Sequence, residues 1–104
     1  MIEIIFEAHF EAVLESLTTE EKEKIFDKLS NFKTASTYME IEKQEGVAIL
    51  KRLPSKNKFE YLYRIDKDFK VLFSLDMETQ KMYIRTLIQR GSIIDSFQKR
   101  GRNE

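Results

Sequence analysis

The chain has 104 residues, 41% of them hydrophobic, so we expect residues 1–104 to form one domain with a modest core rather than a disordered chain. It has no cysteine and a single histidine, His9, which excludes disulfides and most zinc or triad sites; we expect no metal and no organic cofactor. Eighteen basic residues balance eighteen acidic ones, and no apolar run is long enough to span a membrane, which favours a cytoplasmic protein without a membrane partner.

The first third of the sequence predicts a strand and two helices. Residues 1–6 alternate between apolar and polar side chains, as a half-buried strand does. Helical spacing then relates Phe10, Val13, Leu14 and Leu17. Thr18 and Glu21 have the spacing of a capping box, which predicts that a second helix begins there and forms a hairpin with the first. Its buried stripe is predicted to be Ile25, Phe26, Leu29 and Phe32.

Residues 34–45 leave two interpretations open, an extension of the second helix or a separate turn, and Gly46 ends either one. Four strand-like segments follow, at residues 47–53, 59–66, 69–75 and 82–89. A loop, a short helical turn at residues 93–97 and a basic tail are predicted after them. Helices first and an antiparallel meander afterwards is an α+β layout, written β-α-α-β-β-β, with the helical hairpin packed on one face of a curved sheet.

The segment from Arg64 to Phe73 resembles the RelE/ParE superfamily, the toxins of bacterial type II toxin–antitoxin systems. That family has an arginine and an aliphatic residue, then an aspartate, an aromatic, a basic residue and an apolar run. The matching positions here are Arg64, Ile65, Asp68, Phe69, Lys70, Val71, Leu72 and Phe73, and Gln89, Arg90 and Gly91 stand at the basic turn that closes the last strand. The order of elements is similar as well, and the resemblance implies a RelE-like fold.

The two halves of the chain differ strongly in charge. Residues 1–50 hold 5 Lys or Arg against 11 Asp or Glu, whereas residues 51–104 hold 13 against 7. This predicts an electropositive region in the second half that meets an anionic partner, although two solvated faces of opposite sign would give the same counts. If the helices cover one sheet face, the candidate cations on the other are Lys51, Arg52, Arg64, Lys70, Arg85 and Arg90.

The resemblance implies roles in RNA cleavage for two of these cations. Lys70 corresponds to the residue that holds the phosphate, and Arg90 to the one that assists the leaving group. Arg64 is the third candidate catalytic residue, while Lys51, Arg52 and Arg85 are candidates for binding RNA or a partner. Attack by a ribose 2′-hydroxyl also needs a base and an acid beside the phosphate.

Several departures from the family pattern leave RNase activity open. Its nuclease members carry lysines along the strand that here spans residues 59–64, where only Arg64 and Tyr63 offer polar substitutes. Gln89 stands in place of a common histidine, and Ser96 or Phe97 in place of a tyrosine. Other interpretations also stand: Arg64 and Lys70 could pair with Asp66, Asp68 or Glu60, and Arg85 could lie over apolar surface.

Three functions remain open. The chain could be a RelE-like toxin that inhibits growth by ribosome-dependent mRNA cleavage or a translation block, a ParE-like inhibitor of DNA gyrase, or a catalytically inactive RelE-fold module for protein binding. All three imply a partner. For a toxin it would be a cognate antitoxin whose acidic amphipathic segment covers Arg64, Lys70, Arg85 and Arg90.

Overall fold

A computed structural model describes residues 1–90, which form three helices and five strands. In chain order these are β1 (Glu3–Phe6), α1 (Ala8–Leu14), α2 (Thr19–Ser30), α3 (Tyr38–Glu42), β2 (Val47–Leu53), β3 (Lys58–Arg64), β4 (Phe69–Asp76) and β5 (Lys81–Gln89). The predicted α+β class and the order of strand, helical pair and meander are confirmed. The structure adds α3 within the segment left open, and the meander has four strands where the written order has three. The predicted turn at residues 93–97 and the basic tail lie outside the described residues.

All five strands belong to one sheet, in the order β1-β5-β4-β3-β2. The strands from β2 to β5 form the expected antiparallel meander. β1 joins the sheet beside β5 in the parallel direction, with Glu3 opposite Lys81 and Phe6 opposite Ile84. The first and last described strands are therefore neighbours, and β1 and β2 form the two outer edges.

One face of the sheet is covered by the helices and holds the core. Tyr61, Tyr63, Val71 and Phe73 alternate along β3 and β4 towards this face and are almost completely buried. The inward stripe of α2 consists of Ile25, Leu29 and Phe32, all buried. The prediction that Phe26 is buried was wrong. It lies at the margin of this stripe, 40% exposed, with its ring 5.5 Å from that of Phe6.

Two local predictions about the helical region are confirmed. The Thr18 hydroxyl accepts a hydrogen bond from the Glu21 backbone N–H, and the Glu21 carboxylate accepts one from the Thr18 backbone, which completes the capping box. Gly46 follows the loop after α3 and has φ +92°, a conformation that L side chains rarely adopt. Its carbonyl accepts from the Arg64 N–H at 2.9 Å, so this glycine fixes the end of β3. Within residues 1–90, no helix has the length and apolar character needed to cross a membrane.

Candidate functional site

Four exposed cations lie at one end of the sheet, and we call them the cation cluster: Arg64, Lys67, Lys70 and Arg90. Arg64 is the last residue of β3 and lies directly opposite Lys70 of β4, with both side chains on the face away from the helices. Lys67 lies in the turn between these strands. Arg90 follows β5, and its backbone N–H donates to the Asp68 carbonyl at 2.7 Å. The structure thus brings together all three predicted catalytic residues.

The cation cluster has little internal charge compensation. Among residues 1–90, none of its four members has a carboxylate within 4.0 Å, whereas Lys51, Arg52 and Arg85 of the same sheet do. A cavity of about 120 Å³ lies among Lys67, Lys70 and Arg90, and Asp68 also lines it. Side chains directly opposite on neighbouring antiparallel strands have Cβ atoms about 5 Å apart, so like charges there destabilise the free protein. An anionic group bound between them would remove that cost.

Lys67 is the member of the cluster that sequence reasoning missed. The signal was present, because the four residues between β3 and β4 must lie at the same edge of the sheet as the residues that flank them. Arg64 also borders a second groove of about 280 Å³, shared with Lys28, Glu45 and Asp66. The cluster therefore faces two adjoining depressions separated by the β3–β4 turn.

The alternative pairing of Arg64 and Lys70 with Asp66 does not occur, because Asp66 is already engaged. Its carboxylate accepts hydrogen bonds from the backbone N–H groups of Asp68 and Phe69 and from Lys24 of α2, at 2.8 to 3.0 Å. Burial by itself would raise the pKa of Asp66, but these donors together lower it below its ordinary value. The Asp66 carboxylate therefore stabilises the backbone of the β3–β4 turn and does not pair with Arg64 or Lys70.

Arg85 does not lie uncovered as predicted. Its guanidinium lies 3.6 Å from a carboxylate oxygen of Glu7 and 3.5 Å from one of Glu60, and Glu60 also lies 4.0 Å from the Lys51 ammonium. Arg85 is the extra residue of a β-bulge in β5, where Leu72 pairs with Thr86 but Phe73 pairs with Ile84.

Arg52 is on the other face of the sheet, which corrects its predicted position. It lies opposite Phe59 in the register and pairs with Glu42 of α3. The same carboxylate accepts a 2.7 Å hydrogen bond from the Tyr61 hydroxyl. Burial, and then this hydrogen bond, raise the pKa of Tyr61 above its ordinary value. Arg52 therefore fastens α3 to the sheet and is remote from the cation cluster.

An apolar band runs across the open face beside the cation cluster. Leu62 and Leu72 lie opposite each other on β3 and β4, and Ile88 lies opposite Lys70, all three half-buried. Beyond this band a shallow groove of about 290 Å³ lies beside Tyr83, Lys51 and Arg85. The open face therefore carries the cation cluster at one end and an apolar band in the middle, and at the far end Lys51 and Arg85 are paired with carboxylates. Residues 1–90 contain no group of three or more His, Asp or Glu side chains arranged to hold a metal ion.

Comparison with solved structures identifies this architecture. A chain of the archaeal RelE–RelB complex from Pyrococcus horikoshii OT3 superposes with a TM-score of 0.71 at 16% identity, over 86% of this chain and 96% of that one. The protein has the RelE fold. A chain of the RelBE2 toxin–antitoxin complex from Mycobacterium tuberculosis matches with a TM-score of 0.50 at 18% identity, over 86% of this chain and 98% of that one. No protein-family model and no curated protein matches the sequence.

Within the RelE fold, the polar substitutes expected along β3 are only partly accessible. Tyr63 is 2% exposed, its ring is 4.7 Å from that of Phe32, and its hydroxyl lies 3.5 Å from the Lys28 carbonyl. It belongs to the core of the RelE fold and not to the open face. Arg64 is the polar residue of this pair that reaches solvent beside Lys70.

Proposed function

We propose that this protein is the toxin of a type II toxin–antitoxin pair, and that it inhibits translation in the cytoplasm by binding mRNA at the ribosome through the cation cluster. The observation that carries the proposal is the apposition of Arg64 and Lys70 without a carboxylate partner among the described residues. Such a pair costs stability in the free chain and is favourable only beside an anion. RNA supplies regularly spaced phosphates, and guanidinium and ammonium groups bind them through charge-assisted hydrogen bonds.

The residue roles follow from the chemistry of RNA cleavage. When a 2′-hydroxyl attacks the neighbouring phosphate, negative charge grows on the phosphoryl oxygens and on the departing 5′-oxygen. We propose that Lys70 and Arg64 hold the phosphate and that Arg90 stabilises the leaving oxygen. Tyr63 is buried and cannot exchange protons with a bound substrate. Because charge stabilisation without an acid–base pair accelerates cleavage less than the two together, we expect slow cleavage or a translation block without cleavage.

The proposed partner is an antitoxin with an acidic amphipathic segment. The apolar band formed by Leu62, Leu72 and Ile88 lies next to Lys70, so a helix with one apolar stripe and flanking carboxylates would match both features. The two RelE-fold chains of the comparison come from toxin–antitoxin complexes, which supports this proposal. Arg85 is neutralised by Glu7 and Glu60 and is expected to contribute less to partner binding than the cluster does.

The test is to express the full chain alone in bacteria and to measure growth and the synthesis of a reporter protein. Lys70→Glu and Arg90→Glu should each relieve inhibition by at least about tenfold, because each replaces a phosphate-binding cation with a repelling anion. Lys33→Glu is the matched control. The Lys33 carbonyl accepts a hydrogen bond from the Ile2 N–H, which places Lys33 near the start of β5. That end of β5 lies roughly 30 Å along the strand from Arg90, so Lys33 is remote from the cation cluster.

Other outcomes would assign the fold to another function. Arrest with intact mRNA, continued protein synthesis and loss of DNA supercoiling would favour the gyrase-inhibiting alternative. Normal growth at high levels of folded wild-type chain would favour a binding module without toxicity. If the control variant relieved inhibition as strongly as Lys70→Glu, the cation cluster would not be the site.

A further inference from the structure

The proposed function does not use the outer edge of β2. This strand spans seven residues, and among the described strands it hydrogen-bonds to β3 only, on one side. Six of its seven residues are exposed, among them Ile49 at 47%, Leu50 at 53% and Leu53 at 40%. Met39 of α3, the helix that packs beside β2, is 62% exposed. A long edge with apolar side chains and free backbone donors and acceptors is prone to pair with another strand.

The charges on this edge do not protect it from another copy of itself. Edge strands commonly avoid self-pairing by carrying lysine or arginine, and β2 has Lys51 and Arg52. Each of them already has a carboxylate of its own chain: Glu60 lies 4.0 Å from Lys51, and Glu42 pairs with Arg52. Two copies of β2 therefore meet with little net like-charge repulsion. A strongly acidic strand, in contrast, would have to compete with Glu42 and Glu60 for these cations.

We propose that β2 pairs antiparallel with β2 of a second copy of this chain, joining two five-stranded sheets across a two-fold axis. The bulge between Ile49 and Lys51 decides the register. Ile49 and Arg52 lie on the helix side, opposite Tyr61 and Phe59 of β3. An axis between Leu50 and Lys51 keeps residues of the same face opposite each other across the new seam.

In that register the apolar side chains find partners on both faces. Ile49 lies against the aliphatic stem of the second copy's Arg52 on the helix side, and Ala48 lies against Leu53 on the open side. A seven-residue edge of this kind buries on the order of 1,000 Å² in total, near the lower limit for specific interfaces. We therefore expect a reversible dimer with a dissociation constant on the order of 10 µM, and not an obligate one.

Sedimentation velocity of the purified full chain between about 1 and 200 µM tests the dimer. Wild type should shift from monomer to dimer across this range. Ile49→Lys and Leu50→Lys should raise the dissociation constant by at least about tenfold, because each places an unpaired cation at the seam. Both side chains are about half exposed, so the folded monomer should persist, as circular dichroism will show. Phe26→Lys is the matched control: it is 40% exposed and lies on α2, against β1 at the opposite sheet edge.

A second readout fixes the register independently of affinity. Because the chain has no cysteine, Leu50→Cys introduces a unique thiol beside the proposed axis. Mild oxidation should give a disulfide-linked dimer, whereas Phe26→Cys should not cross-link at the same concentration. Wild type that remains monomeric at 200 µM, or a Phe26→Lys variant that loses dimerisation equally, would overturn the proposal. Lys70→Glu should dimerise normally, so the dimer and the proposed toxin activity can fail separately.

Discussion

The hydrogen bonds of Asp66 leave the neighbouring cations Arg64 and Lys70 without a carboxylate partner from this turn. Asp66 accepts two backbone hydrogen bonds in the β3–β4 turn and one from Lys24, and so is not free to neutralise the cations beside it. The sequence predicted the turn but offered Asp66, Asp68 and Glu60 equally as partners for Arg64 and Lys70. The partner of Asp66 is Lys24 of α2, more than forty residues earlier in the chain, and local sequence does not encode that contact.

Removing this carboxylate should destabilise the turn. Asp66→Ala leaves two backbone N–H groups without an acceptor, so we expect it to lower the free energy of unfolding by about 1–2 kcal/mol at pH 7. Asp66→Asn keeps an acceptor oxygen and loses only the charge, so its cost should be smaller. Urea denaturation followed by circular dichroism measures both. Equal costs for the two variants would mean that the backbone hydrogen bonds contribute nothing.

The same carboxylate predicts a dependence of stability on pH. The pKa of Asp66 in the folded chain lies below its ordinary value, so its stabilisation is fully present at pH values well above that ordinary value. The stabilisation is lost as the pH falls from there through the lower folded-state pKa, because the unfolded chain takes up the proton first. The difference in unfolding free energy between wild type and Asp66→Ala should therefore shrink between pH 5 and pH 2.

At the scale of elements, the start of α2 was predicted to the residue because it depends on a short-range signal. The capping box satisfies two backbone N–H groups within four residues, so the spacing of Thr18 and Glu21 was sufficient to place it. The strands were equally clear from alternation. The bulge at Arg85 was not, since a one-residue register shift arises from pairing with β4 and leaves no mark on β5 alone. Arg85 lies on the open face, but its ion pairs with Glu7 and Glu60 depend on contacts between distant segments and were not predicted.

The capping box gives a test at this scale. Thr18→Ala removes the acceptor for the Glu21 N–H and should lower the free energy of unfolding by about 1 kcal/mol. Thr19→Ala is the matched control. It makes the same substitution at the first residue of the helix, whose side chain does not form the cap. Thermal denaturation of the pair should give a lower midpoint for Thr18→Ala alone. Equal midpoints would show that the capping bonds are not made in solution.

For the whole molecule, the acidic first half and the basic second half of the sequence do not form two separate charged surfaces. Several cations of the basic half are neutralised by carboxylates, and Glu7 and Glu42 of the acidic half reach across to Arg85 and Arg52. The four members of the cation cluster are among the cations of residues 1–90 that have no carboxylate within 4.0 Å, and they lie together at one end of the sheet. Composition predicted that such a region exists, but its size depends on the fold, because tertiary contacts between the halves decide which charges cancel.

This arrangement predicts a modest and salt-dependent affinity for RNA. For a 12-nucleotide single-stranded RNA, the logarithm of the association constant should fall linearly with the logarithm of salt concentration, with a slope of about −0.7 per phosphate contact. Lys70→Ala should reduce the slope by about one contact, whereas Lys33→Ala should leave it unchanged. Fluorescence anisotropy between 50 and 400 mM salt measures it. Identical slopes for wild type and Lys70→Ala would exclude this lysine from the contact.

The parallel pairing of β1 with β5 also constrains when the protein can complete its fold during synthesis. Glu3 and Lys81 are neighbours in the sheet, so closing that contact orders almost the entire described chain at once. Contacts of such long sequence separation form late. Of the described elements, β5 is synthesised last and Arg90 follows it, so a nascent chain lacks the finished sheet until the end of β5 has emerged. The cation cluster is therefore complete only once the last described strand has left the ribosome.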